Sequence, residues 1–211
     1  MYYELLQVAP RTSAEKVPVY YARDEDWNPV VLKGPLSDKE IQSLLITERF
    51  KKLLGLPRTN VRRGDDNTVI SDCLYDYSLS ESHRCTSGID KGKRLSNIKL
   101  KMWRHDITDR TTVRSFLKAL AFRLMIGTDD TVPRNFILID QTVYSIDDPA
   151  WEVEPSQLWK VKTHSEHYNK LLDENWEWVM AFLEEWRHTD GLYGFNYQMI
   201  DKLMDRSYWK F

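Results

Sequence analysis

Three polar side chains in the second half of the chain have types and a spacing that suit phosphoryl transfer. Asp130 stands five residues before Asn135, and Asp147 follows a predicted hairpin made of residues 136–139 and 143–146. In this chemistry one carboxylate orients the acceptor hydroxyl, while an amide oxygen and a second carboxylate hold magnesium against the ATP phosphates. The hairpin would return Asp147 to the side of Asn135, so the three groups can share one site.

Each of these residues also has an ordinary explanation. Asp129 and Asp130 could cap a turn after a helix, and Asn135 could be a turn residue. Asp147 and Asp148 precede Pro149, which is a common turn signal. The functional interpretation therefore depends on the joint occurrence of the residues in the right order, with a short hairpin between them.

The pattern resembles the protein-kinase-like superfamily, especially its atypical branch of phosphatidylinositol 3- and 4-kinases. The matching residues are Asp130-Thr-Val-Pro-Arg-Asn135-Phe-Ile-Leu and, after the hairpin, Ser-Ile-Asp147-Asp-Pro. The resemblance implies that Asp130 is the catalytic-loop aspartate and that Asn135 and Asp147 are the metal ligands. It also implies ATP and magnesium as cofactors.

The resemblance extends upstream to Val30-Val-Leu-Lys33, which is similar to the third-strand segment whose lysine binds the α- and β-phosphates. A glutamate from the next helix should pair with Lys33, and two candidates exist. Glu48 lies on the apolar stripe of that helix, where a carboxylate is costly unless it is paired. Glu40 fits a capping role better, so Glu48 is favoured while Glu40 stays open.

The sequence departs from the family pattern in two places. Residues 10–16 contain no glycine-rich loop, although Thr12 and Ser13 could contact phosphate there. Asp148 and Pro149 stand where the family has Phe-Gly. An active atypical kinase and a pseudokinase that serves as a nucleotide-binding or protein-interaction module are therefore both open, and magnesium-dependent turnover would separate them.

The elements that must position these residues fall into two groups. Three β-rich runs in residues 3–33 predict an antiparallel meander. A helix that begins after Ser37 with a capping box and ends at Gly55 follows, and then two further short strands. The second group is mostly helical. It comprises an apolar-striped helix that ends at Gly127, the hairpin, one long helix near residues 165–188 and a last short helix.

Composition limits the alternatives. The 211 residues are 42% hydrophobic with eight Trp, which is enough for a real core. The net charge of −2 argues against nucleic acid as a partner, because phosphate contacts need a basic excess. The two cysteines form no metal or disulfide pattern, and no stretch reaches membrane-span length. The sequence thus predicts a cytoplasmic protein.

We therefore expect an α+β fold of the minimal two-lobed, kinase-like type. Residues 1–79 would form a β-rich N-lobe with one helix, residues 80–93 a linker, and residues 94–211 a mostly helical C-lobe. ATP would lie between the lobes, with its adenine near residues 72–77. The acidic segment 147–154 would repel a lipid headgroup, so a hydroxyl on a protein or small molecule is the expected acceptor.

Overall fold

The computed structural model describes residues 4–8, 17–74, 93–94, 109–128, 131, 135–148 and 166–209. Strands dominate the first part of the chain, and helices dominate the last part. In chain order the elements are β1 (Glu4–Val8), β2 (Val19–Arg23), β3 (Pro29–Lys33), α1 (Asp38–Leu53), β4 (Arg62–Arg63), β5 (Val69–Asp72), β6 (Lys93–Arg94), α2 (Arg110–Met125), β7 (Phe136–Ile139), β8 (Thr142–Ser145), α3 (Glu166–Glu174), α4 (Trp176–Arg187), α5 (Gly194–Met204) and a 3₁₀ turn (Arg206–Tyr208).

The first sheet has five antiparallel strands in the order β1-β2-β3-β5-β4. Its first three strands form the predicted meander. In the β2–β3 pair Val19 lies opposite Lys33 and Tyr21 lies opposite Val31. Residues that lie opposite each other share a face of the sheet, so these four side chains project to the same side.

Helix α1 begins and ends where its sequence signals predict. Ser37 is the N-cap, and its hydroxyl accepts from the Glu40 amide while the Glu40 carboxylate accepts from the Ser37 amide at 2.8 Å. Gly55 follows the C-cap with φ of 61°, the left-handed conformation that glycine adopts at low cost. Helix α2 ends in the same way at Gly127, whose φ is 71°.

The second sheet holds the hairpin β7–β8 with β6 at its edge. Phe136 and Val143 lie on the hairpin face that packs into the main core, whereas Ile137 and Tyr144 lie on the opposite face. The hairpin therefore joins the helical part of the protein to the five-stranded sheet. The predicted lobe boundary between residues 93 and 94 cuts through β6, and residues 80–92 lie outside the described residues, so the division into lobes stays a prediction.

The predicted long helix near residues 165–188 is wrong as a single element, because the structure has α3 and α4 with a break at Asn175. The Asn175 side chain donates to the Leu171 carbonyl at 2.9 Å, and its backbone leaves the helical region at φ −122° and ψ 31°. Asparagine side chains compete for backbone hydrogen bonds in this way, which favours helix ends over helix interiors.

One large core unites α2 to α5 with the inner face of the hairpin. An edge-to-face aromatic group lies at its centre, where the Phe116 ring centroid is 4.8 Å from Phe136 and 5.0 Å from Tyr168. Phe50 and Leu54, at the end of α1, join the same core. The expected α+β class is confirmed. Among the described residues, none of the helices has the length and apolar character that crossing a membrane would require.

Candidate functional site

Strand β3 places Lys33 at its end with the side chain turned away from the buried face. Burial alternates along the strand, so Val30 and Leu32 are buried while Val31 and Lys33 are partly exposed on the other face. This alternation follows from the two-residue period of a strand. The Lys33 side chain is 27% exposed.

The hairpin places Asn135 directly before β7 and Asp147 two residues after the end of β8. The Asn135 carbonyl accepts a hydrogen bond from the Ile146 amide at 2.9 Å, so Asn135 lies directly beside the residue before Asp147. Asn135 is buried, whereas the Asp147 side chain is 45% exposed. Asp147 has φ of 54°, a left-handed conformation that is uncommon outside glycine and often found at functional sites.

Lys33 and Asp147 meet although 114 positions separate them in the sequence. Lys33 Nζ donates to Asp147 Oδ1 at 2.5 Å. The predicted proximity of these two residues is therefore confirmed. Their roles, phosphate binding for Lys33 and metal binding for Asp147, stay predictions.

An apolar cluster from both sheets adjoins this ion pair. It comprises Tyr21, Cys73 and Ile137, which are buried, with partly buried side chains around them. Val31 belongs to the cluster and lies two residues before Lys33 on the same face of β3, and Ile146 directly precedes Asp147. The partly buried members are Val19, Val31, Leu74, Ile139, Tyr144 and Ile146. The charged pair thus lies at the edge of an apolar surface.

The favoured pairing of Glu48 with Lys33 does not occur. The Glu48 carboxylate is buried and lies 3.9 Å from Arg58. Burial raises the pKa of Glu48 above its ordinary value, and the charges of Lys51 and Arg58 offset this only in part. The buried glutamate does have cationic neighbours, as the sequence suggests. They are Arg58 and Lys51, however, and not Lys33.

Glu40, the alternative partner, has the capping role that its position predicts. Hydrogen bonds from the Ser37 side chain and backbone lower the pKa of Glu40, and the charge of Lys33 lowers it further. Lys33 is therefore close enough to influence Glu40 electrostatically, while its hydrogen bond goes to Asp147.

The other predicted site residues, Asp130, Thr12 and Ser13, lie outside the described residues, as does Asp129. The segment expected near adenine is described only as far as Leu74. The roles of these residues stay predictions.

A second charged group lies next to the site and was missed by the sequence analysis. Asp148 is 2% exposed, and its carboxylate contacts Lys51 at 2.6 Å and Arg123. The Ser145 hydroxyl donates to Asp148 at 2.7 Å. Burial alone would raise the pKa of Asp148, but the charges of Lys51 and Arg123 hold that pKa below its usual range.

A sequence signal for this group did exist. Lys51 follows Ile41, Leu44 and Glu48 on the same helical face, so it continues the buried stripe of α1. Arg123 likewise stands on the buried side of α2. A lysine or arginine on an apolar stripe is rarely buried without a partner, and it predicts a buried carboxylate elsewhere.

The donor atoms at the site fit magnesium. Asn135 and Asp147 offer an amide oxygen and a carboxylate, the hard oxygen ligands that magnesium prefers. Within the residues that the structure describes, no three His, Cys, Asp or Glu side chains gather into a metal site. Magnesium commonly takes only one or two protein ligands and completes its shell with phosphate oxygens and water, so a site of Asn135 and Asp147 is chemically sufficient.

No protein-family model matches the sequence, and a search of curated proteins found no relative. Among solved structures, one similar fold is that of the Helicobacter pylori proinflammatory kinase CtkA, with 8% sequence identity, a TM-score of 0.45, and coverage of 96% of this chain and 92% of that chain. Another is HipA of Shewanella oneidensis MR-1, from a toxin–antitoxin complex with HipB and operator DNA. It has 12% identity, a TM-score of 0.42, and coverage of 93% of this chain and 64% of that chain. Neither structure is described as a phosphatidylinositol kinase, and similarity at this level does not assign an activity.

Proposed function

We propose that this chain is an ATP- and magnesium-dependent phosphotransferase of the atypical kinase type. The observation that carries the proposal is the contact between Lys33 and Asp147, which joins the end of the first sheet to the end of the hairpin. A lysine that binds phosphate and an aspartate that binds metal must both lie within the span of one nucleotide–metal unit, because that unit has to contact both.

The proposed roles follow from the donor groups. Lys33 binds nucleotide phosphate, and a phosphate oxygen then replaces Asp147 as its acceptor. Asn135 and Asp147 would hold magnesium, which supplies positive charge against the phosphate oxygens. Asp130 orients the acceptor hydroxyl, and Thr12 and Ser13 contact phosphate from the segment between β1 and β2. Most of the rate acceleration comes from positioning and charge stabilisation.

The apolar cluster beside Lys33 is the proposed adenine site. Val31 lies on β3 and Ile146 directly follows β8, while Cys73 and Leu74 directly follow β5. Flat heteroaromatic groups bind in apolar clefts that offer a few polar groups to fix their orientation. In this arrangement the base lies among the partly buried side chains, and the phosphates point toward Lys33.

The proposed acceptor is a hydroxyl on a protein or a small molecule. Residues 147–154 carry four acidic side chains and no basic one. An acidic lipid headgroup would be repelled there. The phosphatidylinositol-kinase resemblance therefore concerns the order of site residues and does not extend to the substrate.

A pseudokinase is the second candidate, and one observation favours it. The position that the kinase family fills with phenylalanine holds the buried, ion-paired Asp148. A protein of this kind could bind nucleotide and present its surface to a partner without turnover.

The deciding experiment is incubation with labelled ATP and magnesium, with readout of ATP hydrolysis and of transfer to the protein itself, to other proteins and to small hydroxyl acceptors. Asp130→Ala is expected to lower the transfer rate by about two orders of magnitude or more with little change in ATP affinity. Asp129→Ala is the matched control and should lower it far less. ATP and magnesium binding without transfer would establish the pseudokinase instead, and no ATP binding would refute nucleotide binding by either candidate and leave a protein-interaction module.

A further inference from the structure

Asp148, the residue after Asp147, is bound by charged side chains that have no part in the proposed reaction. Asp148 lies in a buried socket made of Lys51 from α1, Arg123 from α2 and Ser145 from β8. The side chains of Lys51, Arg123 and Asp148 are 4%, 0% and 2% exposed, so water contributes almost nothing to their charge balance.

We propose that Lys51 and Arg123 are positioning residues that hold Asp148 in this socket and thereby direct the neighbouring Asp147 carboxylate toward Lys33. The inference rests on the proposed function, because it concerns the geometry of the proposed metal ligand.

The same two cations also bind the backbone carbonyls of the two residues before Asp147. Lys51 Nζ donates to the Ser145 carbonyl at 2.6 Å, and Arg123 Nη1 donates to the Ile146 carbonyl at 2.9 Å. The Ile146 amide is bound in turn by the Asn135 carbonyl. Residues 145, 146 and 148 are thus each fixed from the protein interior, and residue 147 lies between them.

This anchoring fits the conformation of Asp147. Its φ of 54° is uncommon outside glycine, although aspartate adopts it more readily than most residues. With Ile146 and Asp148 held on either side, the Asp147 side chain has to leave the chain on the side opposite the socket. On that side Asp147 contacts Lys33.

The C-terminal ends of α1 and α2 offset part of the positive charge of Lys51 and Arg123. Lys51 and Arg123 both stand in the last turn of their helices, and Gly55 and Gly127 end those helices. Each helix C-terminus carries roughly half a negative charge, so two of them offset about one positive charge. Among the described residues, the carboxylate that contacts both cations is that of Asp148.

Stability alone does not explain such an arrangement. Well-packed apolar side chains of similar volume often stabilise a core as well as a buried ion pair does, or better. Charged hydrogen bonds add direction, since they fix both the distance and the angle of the groups they join. The metal sites of proteins use outer partners of this kind to orient their ligands.

The test compares Lys51→Met with a control of the same cost in stability. Lys51→Met leaves Asp148 paired with Arg123 and removes the bond to the Ser145 carbonyl, whereas Asp148→Asn would leave two buried cations without this carboxylate and is therefore a poor test variant. Leu172→Ala is the control, because Leu172 lies on α3 and is fully buried among the apolar side chains of the main core. Ser145→Ala is a milder second variant that changes no charge.

Nucleotide binding is titrated with magnesium and, separately, measured in EDTA. In Lys51→Met the magnesium concentration for half-maximal binding should rise about tenfold or more, the usual cost of losing an outer partner of a metal ligand. Affinity in EDTA should stay within about twofold, and Leu172→Ala should show the wild-type magnesium midpoint. Ser145→Ala should shift the midpoint in the same direction by less. An unchanged midpoint in folded Lys51→Met would overturn the proposal.

Amide hydrogen exchange gives a readout that needs no nucleotide. The amides of residues 146–148 should exchange faster in Lys51→Met than in Leu172→Ala at equal global stability, because only the first variant frees this segment. If wild-type protein binds no nucleotide, the proposed function fails, and this exchange comparison alone decides whether the socket positions Asp147. Equal exchange in the two variants would overturn the positioning role.

Discussion

The exposure of the Lys33–Asp147 pair determines what its loss should do to stability. Lys33 is 27% and Asp147 is 45% exposed, so solvent screens their attraction. At 2.5 Å in a water-like dielectric the Coulomb energy is about 1.7 kcal/mol, and ordering a lysine side chain costs up to about 2 kcal/mol. The net contribution to stability should therefore lie within about 0–1 kcal/mol, as for other exposed pairs.

Lys33→Met tests this estimate and the proposed role together. Methionine keeps much of the aliphatic length and removes the charge. We expect the free energy of unfolding to change by less than about 1 kcal/mol, which in a protein of this size shifts the melting temperature by at most about 4 °C. Nucleotide affinity should fall by at least about tenfold, because a charge-assisted hydrogen bond to phosphate contributes about 1.5–3 kcal/mol.

Thermal unfolding and isothermal titration with ATP, each with magnesium and in EDTA, give both quantities. Lys170→Met is the matched control, since Lys170 forms an exposed ion pair with Glu174 on α3. Asp147→Asn should weaken ATP binding more with magnesium than in EDTA. Equal losses in the two buffers would mean that Asp147 is structural.

Two results would refute the reasoning about Lys33. A loss of several kcal/mol of unfolding free energy in Lys33→Met would show that the pair supports the fold in spite of its exposure. An ATP affinity equal to that of Lys170→Met would show that Lys33 does not bind phosphate, even though its ammonium group lies at Asp147.

Three further predictions concern the surrounding structure. Because burial raises the pKa of Glu48, the stability it contributes is present below its ordinary pKa of 4.5 and is lost as pH rises through the raised value. Glu48→Gln should therefore flatten this decline and keep or raise stability at pH 7 in chemical unfolding, and a large loss at pH 7 would contradict it. Gly34→Ala should lower the melting temperature, since an added Cβ would lie 2.8 Å from Thr68 Cγ2 and 2.9 Å from the Asn67 carbonyl oxygen. Phe116→Ala should cost about 3–5 kcal/mol in unfolding free energy by emptying the aromatic centre of the core, and a loss below 1 kcal/mol would be inconsistent with its packing.

Local sequence signals predicted much of the fold because the interactions behind them are local. The capping box of Ser37 and Glu40 joins residues three apart, and Gly55 and Gly127 end their helices through their own backbone freedom. The hairpin likewise depends on a short turn between two apolar runs. Its register then follows, and with it the placement of Asn135 beside the residue before Asp147.

Pairings between distant elements were harder to predict, because many partners can satisfy one charge. Burial correctly indicated that Glu48 needs a cation, yet Arg58 and Lys51 were as available as Lys33. The choice depends on how α1 is rotated against the sheet, which no local pattern encodes. The partner of Arg123 is Asp148, which lies on a different element. Because Asp147-Asp148 before Pro149 is also typical of a turn, no local pattern links Asp148 to Arg123.

The two adjacent aspartates show how one short sequence can serve two purposes. Asp147 and Asp148 have the same side chain, and nothing in the sequence distinguishes the one that stays exposed from the one that is buried. The structure distinguishes them through the cations available on each side. Lys33 on the exposed side is one partly exposed cation that a phosphate could take over, whereas Lys51 and Arg123 on the buried side stand in the last turns of two helices. Exchanging the two roles would require moving a helix, so we expect the exposed carboxylate to adapt to a ligand while the buried one keeps its place.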